Sequence, residues 1–280
     1  MGKSLVLGFF DGVHKAHRAV IESAFNGSDD VTLITFKESP AVYFGYRAEY
    51  ILSRKESVKK IKSLGVKDVI ELNFPEIAGI TAEKYLDYIV NTYKPGIIST
   101  GFNHTFGLNK TGNPNFLKQN ESKYGYKYIC TLPVEENGEV VSSTLIKEYI
   151  SKGNVEYANY LLESNFILEG TVIHGAKIGR KIGFPTANIN YPKDIVKLPF
   201  GVYCAVINSK KTVMNWGMKP TVNNTVEPVV EAHILDFDGD LYGKEIKIEV
   251  LKQIRGEKKF ANLDELKAQI SEDVKQCSEL

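Results

Sequence analysis

Two histidines, His14 and His17, stand three residues apart just after the tight turn Asp11-Gly12. The apolar run before them, "LVLGFF", stops at that turn, and a helical pattern follows. A helix N-terminus offers free backbone N–H groups and the positive end of a dipole. Two imidazoles at that junction can donate hydrogen bonds to phosphate oxygens. Attack on a nucleotide's α-phosphate needs such charge stabilisation and no protein nucleophile. Metal ligation is the weaker reading. The pair shares one helical face, but no carboxylate at helical spacing completes a site.

Three further segments carry chemistry. "GFNHTFG", residues 101–107, also follows a strand-like run; its glycines permit close approach to a ligand, and its aromatics can stack on a flat ring. "SSTLIK", Ser142 to Lys147, supplies three hydroxyls and then a cation one helical turn on, which suits the distal phosphates of ATP. The same residues read as a helix cap, and the two roles use the same N–H groups. Gly175, Gly179 and Gly183 make a flexible loop open to phosphate, with positive charge from Lys177, Arg180 and Lys181. Next come Thr186 and Asn188, which face one side of an extended strand. Hydroxyl and amide together can hold a magnesium ion and a phosphate oxygen. No G-K-[ST] follows, so this is not a P-loop.

These residues need elements to position them. In the first half, strand signals ("SLVLGFF", "VTLITF", "KDVIEL", "PGIISTG") alternate with helical ones ("RAVIESAF", "SRKESVKKIKSLGV", "TAEKYLDYIVNTY"). Ser53 is the expected N-cap and Gly65 the expected stop of one helix. Such alternation implies βαβ units and a parallel sheet, which binds ligands beyond the carboxyl ends of its strands. After about residue 150, "NVEYANYLLE" reads as a linking helix. Short strands follow ("FILEGTVI", "GVYCAVI", "VVEAHILDF", "EIKIEVLKQI"), then a closing helix, "NLDELKAQISEDVKQ". That spacing predicts a small antiparallel barrel, with the domain boundary near residues 148–166.

Composition narrows the classes. The chain has 280 residues, 43% of them apolar, and a net charge of +1. That length suits two cores, and that charge gives no field for gathering nucleic acid or holding a membrane surface. No run approaches the ~20 apolar residues of a membrane span, and no signal peptide is read at the start. Cys130, Cys204 and Cys277 are too scattered for a disulfide framework or zinc site, so free thiols in a reducing cytoplasm are expected.

Taken in order, "GFFDGVHKAH", "GFNHTFG" and "SSTLIK" resemble the adenylyltransferase half of the bacterial bifunctional riboflavin kinase/FAD synthetase family. "GTVIHGAKIGRKIGFPTANI", "NWGMKPTVN" and "VEAHILDFDGDLYGKEIKIEVLKQIRGEKKF" resemble its riboflavin kinase half. The resemblance covers nearly the whole chain. It implies a Rossmann-like nucleotidyltransferase domain over residues 1–150 and a riboflavin kinase-like barrel over 165–280. It implies an enzyme with ATP as co-substrate and Mg²⁺ in both steps, and a cytoplasmic location is expected from the absence of a span or signal peptide in the sequence. Riboflavin and FMN are then the substrates, FMN and FAD the products, and neither nucleic acid nor membrane a partner.

Residue by residue, the resemblance implies that Gly8, Phe9, Asp11, Ser142, Ser143, Thr144 and Lys147 bind ATP in the first domain. His14 and His17 act in catalysis there, and Asn103 and Phe106 meet the flavin. In the barrel, Gly175, Gly179, Lys181 and Gly183 bind ATP, and Thr186 and Asn188 ligate the metal. Glu231 takes the proton of the riboflavin hydroxyl, and Arg255, Glu257 and Phe260 lie near the flavin. Four positions depart from the family pattern. Ala16 replaces a glycine between the histidines, Ser39 a histidine, His104 a phenylalanine and Lys147 an arginine. Lysine gives up the planar two-pronged phosphate contact. Two other readings stay open: a kinase with a degenerate adenylyltransferase domain, and a flavin- and nucleotide-binding regulator without chemistry.

Overall fold

Apolar runs become strands covered on both faces. In a computed structural model, which describes residues 2–175, 178–220 and 226–280, β1 (Lys3–Leu7), β2 (Val31–Phe36), β3 (Asp68–Leu72), β4 (Pro95–Gly101) and β5 (Lys127–Thr131) form one parallel sheet. Its order is β3-β2-β1-β4-β5. Leu5, Val6, Leu33 and Ile98 are fully buried. Each such side chain contributes about 1.5–3 kcal/mol of burial.

Helices connect the strands: α1 (Lys15–Ala24), α2 (Pro40–Tyr43), α3 (Arg54–Ser63), α4 (Phe74–Ile77), α5 (Ala82–Tyr93), α6 (Pro114–Gln119) and α7 (Glu121–Tyr124). Ser53 caps α3 by accepting from the Glu56 N–H at 3.2 Å, and Gly65 follows the helix with φ +92°. Both were legible. The strand order reverses between β1 and β4, so their carboxyl ends open the crevice where such sheets bind ligands. A short hairpin, β6 (Glu135–Glu136) with β7 (Glu139–Val140), precedes α8 (Ser143–Ser151). The chain divides into two units, Met1–Leu145 and Ile146–Leu280, and the division falls within α8.

The second unit holds α9 (Val155–Leu162), β8 (Phe166–Ile173), α10 (Ile178–Lys181), β9 (Ala187–Asn190), β10 (Gly201–Ile207), β11 (Lys210–Pro220), β12 (Val226–Ile234), β13 (Glu245–Gly256) and α11 (Leu263–Glu279). Its six strands close into an antiparallel barrel, β10-β11-β12-β9-β8-β13, around buried Tyr203 and Trp216. Two expectations change. Helix α9 is no free link: Asn159 accepts from the Phe166 N–H at 2.7 Å and donates to the Val250 carbonyl at 2.9 Å, which fastens α9 to the barrel. Nor are all three cysteines free. Cys204 on β10 and Cys277 on α11, 73 residues apart, form a disulfide with Cα atoms 5.2 Å apart. Spacing could not show this, because barrel closure brings the two together.

Candidate active sites

The stretch from Gly8 to His14 leaves β1 as a tight loop. Phe10 (φ +59°), Gly12 (+83°) and Val13 (+49°) all adopt left-handed backbone. That conformation disfavours a β-branched residue such as Val13, and it survives where packing over-determines it. Here Phe10 is 2% and Val13 0% exposed. Buried Asp11 steadies the loop by accepting from the Ile51 N–H at 2.9 Å.

His14 is the N-cap of α1, and its Nδ1 accepts from the His17 N–H at 3.4 Å. Its ring proton therefore sits on Nε2. The two imidazoles stack at 3.7 Å, tilted by 19°. Burial first, and then the Lys60 ammonium, lower the His14 pKa to about 3. His17 is held well below the ordinary imidazole range by burial, then His14, then Lys60. Both rings are neutral hydrogen-bond donors at neutral pH. Lys60 itself donates to the Gly12 carbonyl at 3.0 Å, inside the loop. Ala16 lies in the helical first turn of α1, where alanine carries no backbone strain.

Ser142 accepts from the Leu145 N–H at 3.2 Å and caps α8. Ser143 reaches back to the loop: its Oγ donates to the Asp11 carbonyl at 3.0 Å and lies 3.3 Å from His14 Nε2. The first and last motifs of the unit thus meet at one hydroxyl. Thr144 is exposed, and Lys147 lies one turn further along α8.

At the end of β4, Asn103 is exposed, while Phe106 packs against Tyr85, Phe116 and His104 at ring separations of 5.2, 5.9 and 5.6 Å. Phe102, 42% exposed, is the ring of this loop that faces solvent. His104 stacks as a neutral aromatic, its pKa lowered by burial to about 4. Gly107 serves the fold rather than a ligand. A Cβ there would stand 2.6 Å from the Ala82 nitrogen, and φ is +72°.

In the barrel, Asn188 on β9 is paired in register with Glu231 on β12, which is paired with Asn215 on β11. Thr186, Asn188, Glu231, Arg255, Glu257 and Phe260 line one cavity of about 780 Å³, together with Gly179. A second hollow of about 490 Å³ shares Thr186 and runs past Arg180 to Asp238, Asp240 and Tyr242.

Gly175 and Gly179 stand close against Asn188, Phe184 and Thr186. A Cβ at Gly175 would stand 2.2 Å from the Asn188 amide nitrogen, and one at Gly179 would meet the Phe184 carbonyl at 2.3 Å and Thr186 Oγ1 at 3.2 Å. Gly183 answers a turn instead, with φ +93° and open space around it. Lys177 and the side chain of Lys181 lie outside the described residues.

Sequence reasoning missed three site residues. Arg54 lies over the Phe9 ring at 5.1 Å, donates to the Phe9 carbonyl at 3.3 Å and pairs with Glu71 at 3.0 Å. Asn215 enters through strand register. Buried Asp273 on α11 accepts from Arg255 through Nε at 3.0 Å and Nη2 at 2.8 Å. A polar residue on the apolar stripe of α11 was the only signal for it.

Thr186 and Asn188 could offer a metal a hydroxyl and an amide oxygen. Among the described residues no cluster of three His, Cys, Asp or Glu is placed to hold a metal ion. Two hard oxygen donors beside phosphate suit Mg²⁺, which keeps several waters and takes substrate oxygens.

Both units match known families. Residues 1–145 match a family model described as FAD synthetase, and residues 162–280 match one described as riboflavin kinase. The bifunctional riboflavin kinase/FMN adenylyltransferase of Escherichia coli K12 is 33% identical over 97% of this chain and 90% of its own length. That of Bacillus subtilis is 33% identical over 96% of this chain and 89% of its own. A crystal structure from Streptococcus pneumoniae, described as a macrolide-efflux protein, is 29% identical and superposes with a TM-score of 0.91 over 100% of this chain and 94% of its own. No helix among the described residues is long and apolar enough to cross a membrane. The chain belongs to the bifunctional riboflavin kinase/FMN adenylyltransferase family.

Proposed function

We propose that the barrel, residues 165–280, phosphorylates riboflavin and that residues 1–150 transfer AMP from a second ATP to the FMN so made. The observation that carries the kinase reading is the Asn188–Glu231 register inside the 780 Å³ cavity. Glu231 accepts the proton of the riboflavin 5′-hydroxyl as that oxygen bonds to the γ-phosphorus of ATP. The bond to the bridging oxygen breaks, and ADP leaves. Thr186 and Asn188 would hold Mg²⁺, which neutralises charge on the phosphates when bound. Gly175, Gly179, Lys181 and Gly183 form the loop over the nucleotide, whose base takes the hollow beside Thr186. Arg255, Glu257 and Phe260 orient the flavin.

In the first unit the nucleophile is the FMN phosphate, already anionic, so no base is required. Its oxygen bonds to the α-phosphorus of ATP, and pyrophosphate leaves. His14 and His17 donate from the mouth of α1, with Ser142, Ser143, Thr144 and Lys147 on the distal phosphates. Gly8, Phe9 and Asp11 shape the loop beneath them. Asn103 contacts the flavin, and Phe106 supports that loop from the core side. Mg²⁺ would supply charge neutralisation here too. We place the protein in the cytoplasm, where ATP is available, with small-molecule substrates and no nucleic-acid or membrane partner.

Incubation with riboflavin, ATP and Mg²⁺, followed by chromatography of the flavins, tests the reading. FMN and then FAD are expected, and both vanish with a chelator. FMN without FAD would leave the kinase alone; neither product would end the proposal.

A further inference from the structure

The disulfide between Cys204 and Cys277 lies outside the reacting groups of either site, yet it borders one of them. Val202 and Val213 pack against the disulfide and also line the barrel cavity. On the other side, α11 supplies Leu266, Ile270 and Asp273 to the cavity wall. With Cys277 these fall at spacings of four, three and four, which is one face of a helix. Asp273 and Cys277 are the two buried residues of α11. The helix is therefore held at two points one turn apart: an ion pair to Arg255 and a covalent bond to β10. Disulfides in a reducing cytoplasm are characteristically redox-sensing rather than permanent.

We infer that Cys204–Cys277 is a reversible thiol–disulfide site, acted on by a dithiol, whose state sets how firmly α11 walls the flavin cavity of the kinase. This rests on the barrel cavity being the riboflavin site. Reduction balances simply. One thiolate of the dithiol bonds to Cys277 Sγ, and the Sγ–Sγ bond breaks. The Cys204 thiolate leaves and takes a proton. The second thiol of the reductant then closes its own disulfide and frees Cys277 as a thiol. Two electrons and two protons pass from reductant to protein. In the reduced form α11 keeps the Asp273–Arg255 pair, the Lys258–Gln269 hydrogen bond and its apolar contacts, but no covalent tie. The wall formed by Leu266, Ile270 and Asp273 is then less fixed, and riboflavin binds more weakly.

The test uses full-length Cys130→Ala protein, which removes the exposed free thiol. Alkylation in denaturant and intact mass should find no free thiols after air oxidation and two after treatment of the folded protein with a dithiol. The KM for riboflavin should rise about tenfold on reduction, the scale of a lost tether, while FAD formation from supplied FMN stays the same. Amide exchange over residues 263–279 should quicken on reduction, a readout that does not need kinase turnover. Cys277→Ala, or Cys204→Ala if that variant folds poorly, should match the reduced protein whatever the redox state. Two free thiols in the oxidised protein would overturn the inference, and so would equal KM values and equal exchange in both states. Faster exchange on reduction in a protein with no kinase activity would keep the clasp and overturn only the assignment of the cavity to riboflavin.

Discussion

Glu231 on β12 stands in register with Asn188 on β9, so the proposed base and a proposed metal ligand are cross-strand neighbours. Directly paired residues on antiparallel strands have side chains about 5 Å apart on one face. Replacing Glu231 by Gln keeps the shape and removes the proton acceptor. Riboflavin phosphorylation should fall by about 10²–10⁴-fold, with FAD formation from FMN unchanged. An unaltered kinase rate would show that the base is elsewhere.

Gly175 gives a sharper test of the clamp. An alanine methyl there would press on the Asn188 amide, 2.2 Å from its nitrogen. Kinase activity should drop on the order of 10²-fold, as expected for an ångström-scale displacement of a positioning group. Gly183→Ala meets open space but carries φ +93°, so it should reduce stability more than it alters the KM for ATP. Steady-state kinetics and thermal melts of the two variants separate these effects.

Ser143 joins the Asp11 carbonyl and His14 in the first unit. Ser143→Ala removes one hydrogen bond to the loop and one partner of the imidazole. FAD formation should fall about five- to tenfold, the scale of one net hydrogen bond, and riboflavin phosphorylation should not change. A variant that adenylylates FMN like the parent would remove Ser143 from the site.

The histidine pair predicts a pH signature. Burial and then Lys60 hold the His14 pKa down to about 3 in the free protein, and a bound triphosphate would raise that value. Between the two values binding takes up protons, so ATP affinity at this unit should increase as pH falls toward the free-protein value. Calorimetry in buffers of different ionisation enthalpy reads the uptake, best with Thr186 and Asn188 both changed to Ala to silence the barrel. The stability sign is opposite. The folded pKa lies below the unfolded 6.5, so the pair's contribution is present above 6.5 and is lost as pH falls toward the folded value. Melting of the first unit should therefore shift downward between pH 7 and pH 5.

Much of this was legible because its causes are local. Ser53, Gly65 and the Asp11-Gly12 turn act within a few residues of themselves, and a continuous apolar strand shows its two-sided burial directly. What escaped was set by partners far along the chain. Glu231 is one glutamate among many until β9 and β11 pair beside it; only the family resemblance singled it out. Asn215 and the Cys204–Cys277 bond become visible only once the barrel closes, and Asp273 shows in the sequence only as a polar residue on the apolar stripe of α11. The loop glycines at 175 and 179 were legible as special, but read as flexible. Their actual constraint is the close approach of the Asn188 amide and the Phe184 carbonyl, which the intervening sequence does not reveal.

Phe10 and Val13 hold left-handed backbone while buried. Glycines at these positions would form the same turn and leave it free to wander. Two wedged side chains instead set the anion receptor as the protein folds, so little chain has to freeze when nucleotide arrives. The association entropy at this end of the molecule should then carry the mark of released water rather than of a loop losing its freedom.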